Sequence, residues 1–508
     1  ADVDAAAVEG IAVIAVDNSN GAWEYDTGGG WTPFGTPTAS AARLLGADTA
    51  NNKVRFVPNL DFNGSVDPGI TFRAWDKMTG SNGSTADLSG GGARGGTTAY
   101  STATETAAIA VAAVNDAPVL DNSGTMSLSG INEDNTTSPG NTIAALIATA
   151  GGNRIADVDA AAIEGIAVIA VDNSNGAWQY NTGGGWTPFG TPTASAARLL
   201  GADTANNKVR FVPTGNFTGS VDPGITFRAW DKTTGSNGST ADLSGGGARG
   251  GTTGYSTATE TAAIAVADVN DAPVLDNSGT MSLSDVGVDN TTSPGNTIAA
   301  LIATAGGNRI ADVDAGAIEG IAVIAVDNSN GAWQYNTGSG WTNFGTPTAS
   351  AARLLGADTA NNKVRFVPNG AFVGLVDPGI TFRAWDKTTG SNGSTADLSG
   401  GGATGGITAY STATETAAIS ITTAAVIGVP PGTIAFGNIP VNVASVLTVT
   451  VSNTGGSALS ITNIVSDDTQ FVPSMTSLTV AAGATGIFNV TFTPTSGGNQ
   501  PGTLSITS

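Results

Sequence analysis

The sequence repeats itself at a fixed step of 155 residues. Ala1-Asp2-Val3-Asp4 returns as Ala156-Asp157-Val158-Asp159 and again as Ala311-Asp312-Val313-Asp314, with no insertion to disturb the step. Such a chain cannot be organised around one large core. Each repeat has to bury its own apolar face and contact its neighbours in sequence. The tryptophans obey the same rule. All nine fall at three positions per repeat: Trp23, Trp31 and Trp75, then Trp178, Trp186 and Trp230, then Trp333, Trp341 and Trp385.

Inside a repeat the pattern is one of short strands. Gly10 to Asp17 and Ala22 to Asp26 are apolar, β-branched or aromatic runs around the turn signal Asn18-Ser19-Asn20-Gly21, and are expected to form a hairpin. Ala41 to Leu45 reads as one helical turn, Lys53 to Pro58 as a strand, and Ser81 to Thr98 as a long mobile loop. In Gly69 to Asp76 alternation puts Phe72 and Ala74 on one face and Arg73 and Trp75 on the other. Glu105 to Val114 is the last strand. Asn141 to Ala150 fits a strand or a short helix, since periodicity does not decide so short a run. Many short strands between turn signals predict an all-β fold, a tandem array of β-sandwiches.

The seams are legible. Asn115-Asp116-Ala117-Pro118-Val119-Leu120-Asp121 recurs letter for letter as Asn270-Asp271-Ala272-Pro273-Val274-Leu275-Asp276. Proline fixes its own φ and holds the preceding residue extended, so each copy is a stiff, acidic joint. The expected domains are 1–114, 115–269, 270–424 and 425–508. The first lacks the counterpart of residues 117–155, which would expose sheet edge and core. Either the chain is a fragment, or another chain supplies the missing strand. After the linker ending in Pro430-Pro431 comes a second, shorter sandwich. Its expected strands are Thr433–Phe436, Leu447–Ser452, Leu459–Ile464, Leu478–Val480, Gly486–Thr493 and Thr503–Thr507.

Charge and missing residue types narrow the function. Nineteen basic against 41 acidic residues give a formal charge of −22, which disfavours nucleic acid and anionic membrane as partners. With no Cys there is no disulfide, and with no His the commonest general base is missing. No apolar run approaches the ~20 residues of a membrane span. No signal peptide is visible, and the start of the precursor is expected to be missing. The composition fits a secreted or bacterial cell-surface protein.

Two resemblances add to this reading. Val114-Asn115-Asp116-Ala117-Pro118, Asn132-Glu133-Asp134 and Asp157-Val158-Asp159 resemble the cadherin-like repeats of giant bacterial surface proteins. So do Gly176-Ala177-Trp178-Gln179-Tyr180, Val209-Arg210-Phe211-Val212-Pro213 and Phe227-Arg228-Ala229-Trp230-Asp231. Over residues 1–423 this implies Ig-like or cadherin-like sandwiches, export, and Ca²⁺ at or near the joints. Ile434-Ala435-Phe436-Gly437-Asn438-Ile439, Val451-Ser452-Asn453-Thr454-Gly455 and Val490-Thr491-Phe492-Thr493-Pro494 resemble the ASH/Hydin-like domain. That implies an Ig-like sandwich for assembly or display.

Calcium takes about six to eight oxygens in flexible geometry. The candidate ligands at the first joint are Asn115, Asp116, Asp157 and Asp159, with Asp76 or Glu105 of the preceding domain. At the second they are Asn270, Asp271, Asp312 and Asp314, with Asp231 or Glu260. Glu133 and Asp134 are further candidates, but Ser284-Asp285-Val286-Gly287-Val288-Asp289 departs from their pattern in the third repeat. The competing reading makes these residues plain turn formers. The tryptophans read as packing anchors rather than sugar platforms, and Arg73 as a strand neighbour of Trp75 rather than its cation–π partner. Gly28-Gly29-Gly30 and Gly90-Gly91-Gly92 lack the Lys-Ser/Thr of a phosphate loop. No pair of carboxylates stands out for acid–base work, so an enzyme is not expected. The sequons at Asn63, Asn135 and Asn290 read as turns. The expected function is a calcium-stiffened subunit of an extracellular filament or sheath, partnered by copies of itself. A stalk of a giant adhesin, a surface-layer protein and a carbohydrate-binding module are the alternatives, and any cell-surface or glycan ligand is left open.

Overall fold

A computed structural model describes residues 8–159, 162–370 and 372–508. Ala1-Asp2-Val3-Asp4 lies outside them. The fold is all-β and divides into two compact units, Ala1–Asp268 and Val269–Ser508. The first unit holds repeats one and two. The second holds repeat three and the C-terminal sandwich.

Repeat two shows the plan. Its larger sheet runs Met126–Ser127, Glu260–Ala267, Gly219–Trp230, Gly165–Val171, Ala197–Gly201, Thr240–Ala241, and Ile131–Asn132 joins the same edge strand, Glu260–Ala267. The facing sheet runs Asn141–Thr142, Asn207–Pro213, Gly176–Thr182, Thr187–Pro188. Between them the β-branched and aromatic residues that alternate inward (Val168, Trp178, Phe211, Phe227, Ile264) form the core. Trp178 meets Phe211 with ring centroids 5.1 Å apart. Gly224 lets the long strand pass beneath that indole, because a Cβ there would stand 2.6 Å from Trp178 Cζ2. The segment before the first long strand closes the sandwich. Its short helix Ile143–Ile147, capped by Thr142, buries Ile143, Leu146 and Ile147 in the core. A short strand followed by a helix thus resolves the run at 141–150. Repeat three follows the same plan over Val274–Thr422.

Three sequence expectations for the repeats are corrected. Gly10–Val16 and Gly21–Thr27 do not pair as a hairpin. The first lies between Ala42–Gly46 and Gly64–Trp75, and the second between Thr32–Pro33 and Asn52–Pro58. The turn between them is a corner that crosses from sheet to sheet. It is pinned by Asp17 Oδ1 on Ser19 N–H and by Asn18, which accepts from Trp23 N–H and donates to the Gly35 carbonyl. Ala42–Gly46 is a strand and not a helical turn, since it has a ladder partner on each side. The Gly/Ser-rich stretch is folded. In repeat two it covers the outer face of the larger sheet, where Leu243 and Tyr255 pack with Trp230 in a second cluster and Trp230 Nε1 donates to Thr234 O. The alternation in the long strand holds. Phe227 and Ala229 face the main core, while Trp230 enters the outer cluster.

In the C-terminal sandwich one sheet orders Ile427–Gly428, Ser445–Asn453, Thr485–Phe492 and Phe471–Pro473. Leu459–Ile461 pairs Leu478–Val480, and Asn463–Ser466 pairs Leu504–Thr507. Thr433–Phe436 is not a strand. It lies in a stretch punctuated by Pro430, Pro431 and Pro440, which supply no backbone donor. Phe436 still packs against Phe492, with centroids 5.2 Å apart.

Candidate metal centre

The long strand of repeat two ends at Trp230, so Asp231 emerges at the pole that the incoming linker reaches. The loop at Asp157–Asp159 stands at the same pole. The linker is received by backbone as much as by side chains. Ala117 N–H donates to Gly251 O at 2.8 Å, and Asn115 Nδ2 donates to Thr253 O at 3.2 Å and to Asp231 Oδ2 at 3.0 Å. Asp116 N–H donates to Asp159 Oδ2 at 2.8 Å, and Asp159 N–H to Asp157 Oδ1 at 2.9 Å. The folded Gly-rich segment therefore supplies the carbonyls that fix the joint.

The charges of Asp116, Asp159 and Asp231 all act on Asp157 as a result. Asp231 is only 4 % exposed, and its Oδ1 accepts from Thr233 N–H and Oγ1. Asp157 Oδ2 is buried and accepts no hydrogen bond. Burial pushes the Asp157 carboxyl above the ordinary carboxylate value. The charges of Asp159, Asp231 and Asp116 add to that rise, against the Asp159 N–H that favours the ion. Cation binding is the direct way to relieve such a cluster, since a hard divalent ion satisfies a bare carboxylate oxygen and neutralises its neighbours.

The second unit repeats the arrangement. Asn270 Nδ2 donates to Asp386 Oδ2 at 3.0 Å and Thr408 O at 3.2 Å, and Ala272 N–H to Gly406 O at 2.7 Å. Asp271 N–H donates to Asp314 Oδ2 at 2.8 Å and Asp314 N–H to Asp312 Oδ1 at 2.9 Å. Asp312 Oδ2 is again buried without a partner, and its carboxyl is raised by burial, then by Asp314, Asp386 and Asp271.

The geometry reassigns some candidates. Asp76 follows Trp75 at repeat one's own corresponding pole, and Glu105 pairs with Phe72. Neither is among the charges that act on Asp157. The acidic residue after the third tryptophan belongs with the linker that precedes its domain, so Asp231 joins the first cluster and Asp386 the second. Glu260 lies along the sheet opposite Phe227, with Oε1 taken by Thr261 N–H. The signal that would have placed Asp231 is its constant 74-residue distance from Asp157, which Asp386 keeps from Asp312.

At the opposite pole of repeat two, buried Glu133 and exposed Asp268 bring carboxylate oxygens within 4.8 Å. The matching pole of repeat three has Val288 and Thr423, with Gly287 in place of Asn132. It is occupied by the C-terminal sandwich. Thr422 Oγ1 and Ser457 Oγ lie 2.9 Å apart, Gly456 N–H donates to Thr423 Oγ1 at 2.9 Å, and Ser457 Oγ donates to Thr423 O at 2.9 Å.

The second tryptophan of each repeat is neither core nor free. Arg55, Arg210 and Arg365 stack over Trp31, Trp186 and Trp341 at 4.2–4.3 Å, which covers one face of each ring. Arg73 instead donates to the carbonyls of Ser101, Thr102 and Ala103. Trp23 is buried in the core.

Residues 425–508 match the ASH family, described as "Abnormal spindle-like microcephaly-assoc'd, ASPM-SPD-2-Hydin". No curated protein sequence matches the chain. Among solved structures it is similar to mouse cadherin-23 EC22-24, at 12% identity over 83% of this chain and 88% of that one, with a TM-score of 0.34. It is also similar to the protocadherin GammaB4 extracellular domain (12% identity, 96% and 60% covered, TM-score 0.32). A third is the tetra-tandem repeat in the extending region of a large adhesion protein (13% identity, 96% and 84% covered, TM-score 0.17). No helix among the described residues is long and apolar enough to cross a membrane.

Proposed function

We propose that this protein is an extracellular structural component whose repeats, bounded at 115–269 and 270–424, are fixed at their joints by calcium. It would serve in a bacterial surface filament or sheath built from copies of itself. The observation that carries the reading is the buried, unpartnered Asp157 Oδ2 in a cluster of four carboxylates, reproduced in detail at Asp312. The ligands would be Asp116, Asp157, Asp159 and Asp231, and then Asp271, Asp312, Asp314 and Asp386. Asn115 and Asn270 orient the linker through Nδ2, each donating to the buried aspartate and a loop carbonyl, and their Oδ1 atoms would be further ligands. A direct calorimetric titration of the chelator-treated chain with Ca²⁺ tests this. Calcium-specific heat that disappears in Asp157→Ala/Asp312→Ala supports it, and no heat, or heat unchanged by the substitutions, refutes it. An adhesin stalk uses the same joints, so electron microscopy of native material separates long regular filaments from isolated stalks.

A further inference from the structure

The three repeats share a sheet edge and differ at one residue of its strand. In the smaller sheet of repeat three the outermost strand is Trp341–Asn343, paired with Gly331–Thr337, and among the described residues no strand lies on its other side. Its counterparts in repeats one and two are Thr32–Pro33 and Thr187–Pro188. Asn343 therefore stands where Pro33 and Pro188 stand, and the strand gains a residue.

The ladder fixes which way that residue faces. Phe344 N–H donates to Trp333 O at 3.0 Å, and opposed residues of an antiparallel pair alternate between bonded and unbonded. Thr342, opposite Tyr335, is thus bonded inward. Trp341 and Asn343 turn their backbone N–H and C=O groups to the open edge. Proline at 33 and 188 has no N–H to present there, which blunts an edge against pairing. Asn343 restores the donor. Its side chain is held from within its own sheet. Arg365 Nε donates to Gln334 Oε1 at 2.8 Å, and Gln334 Nε2 donates to Asn343 Oδ1 at 2.9 Å. Thr342 and Asn343 are both exposed.

We propose that this edge joins two copies of the chain, antiparallel, about a two-fold axis through Thr342. In that register Trp341 of each copy faces Asn343 of the other, and each such pair exchanges two backbone hydrogen bonds. One strand is then its own complement, as a two-fold contact requires. Proline at 343 would remove half of those bonds. Charge selects the same partner. Residues 337–346 carry no ionisable side chain in a chain of formal charge −22. Two copies can meet along this stretch without the repulsion that their acidic surfaces otherwise impose. The contact rests on the reading of a self-assembling structural protein and names a surface for it. It uses none of the joint carboxylates.

Sedimentation velocity of the full chain over a range of concentrations, in calcium, tests this. The native chain should dimerise, and amide exchange at Trp341 and Asn343 should slow as it does. Asn343→Pro should weaken dimerisation at least tenfold. The fold already carries proline at 33 and 188, so this variant is expected to fold. Asn343→Lys keeps the backbone donor but brings like charges into the contact, and should also weaken it. Pro188→Asn should open a second edge and give larger assemblies. Dimers that persist equally in Asn343→Pro and Asn343→Lys overturn the edge contact and leave self-assembly to another surface. Chains that stay monomeric at every concentration overturn it too, count against self-assembly as a whole, and leave the edge to a different protein.

Discussion

The pole of repeat two that receives the linker and the pole of repeat three that meets the C-terminal sandwich are joints of opposite chemistry. The first gathers Asp116, Asp157, Asp159 and Asp231 and leaves Asp157 Oδ2 bare. The second has no counterpart of Glu133 or Asp268. It is closed by hydroxyls and backbone at Thr422, Thr423, Gly456 and Ser457. The same sandwich therefore serves two kinds of joint. At the pole away from the linker, repeat three has Val288 and Thr423 where repeat two has Glu133 and Asp268, so two substitutions turn an acidic pole into a neutral one.

If that contrast is right, calcium should act on one joint and not the other. The largest effect is expected from calcium itself. At a hundredfold excess over Kd a site that binds only the folded state contributes about 2.7 kcal/mol. Each repeat that carries a site should melt several degrees higher in calcium than in chelator, and Asp157→Ala/Asp312→Ala should abolish the difference. Next comes Gly287→Val. A Cβ at Gly287 would collide with Ser457 Oγ, and overpacking of this kind costs about 1–3 kcal/mol. Amide exchange at Gly456 should quicken equally with and without calcium, and a calcium-dependent response there would break the comparison.

A third effect concerns protons. The Asp157 and Asp312 carboxyls lie above the ordinary value of 3.8, so the metal-free fold holds their protons more tightly than the unfolded chain does. Their contribution to stability is greatest below 3.8 and is lost as pH rises through the raised values. A chelated chain in which Asp157→Asn/Asp312→Asn left the pH dependence of unfolding unchanged would contradict this. The smallest effect has the opposite sign. Hydrogen bonds from Ser123 first, and then Arg154, hold exposed Asp121 at about 2, and Asp276 is held likewise by Ser278 and Arg309. That contribution is present above 3.8 and fades as pH falls toward 2. Arg154→Gln should shift only this acid limb, and slightly.

Repeat one and repeat two show how much of this was legible. The 155-residue step, the inward tryptophans and the proline-stiffened linker follow from identity and alternation, which are local. The misread pieces are those whose partner is remote. Asn18-Ser19-Asn20-Gly21 has the residues of a hairpin turn, but only tertiary packing shows that it crosses between sheets. Ala42–Gly46 is too short for periodicity to separate strand from helix. The Gly/Ser-rich segment looked unstructured because its two apolar anchors, Leu243 and Tyr255, are far apart in sequence. That same segment supplies Gly251 O and Thr253 O to the linker, backbone groups that no residue pattern announces. Asp231 was assigned to the wrong joint because sequence order does not say which way a strand points.

The most direct test compares the unfolding temperature of the full chain with that of Asp157→Asn/Asp312→Asn, each in chelator and in calcium at pH 7. The amide keeps an oxygen for the Asp159 and Asp314 N–H groups and removes the buried charge. The variant should therefore melt above the native chain in chelator and below it in calcium, so that the order reverses. An order that stays the same in both conditions, or a native chain indifferent to calcium, would contradict cation-fixed joints.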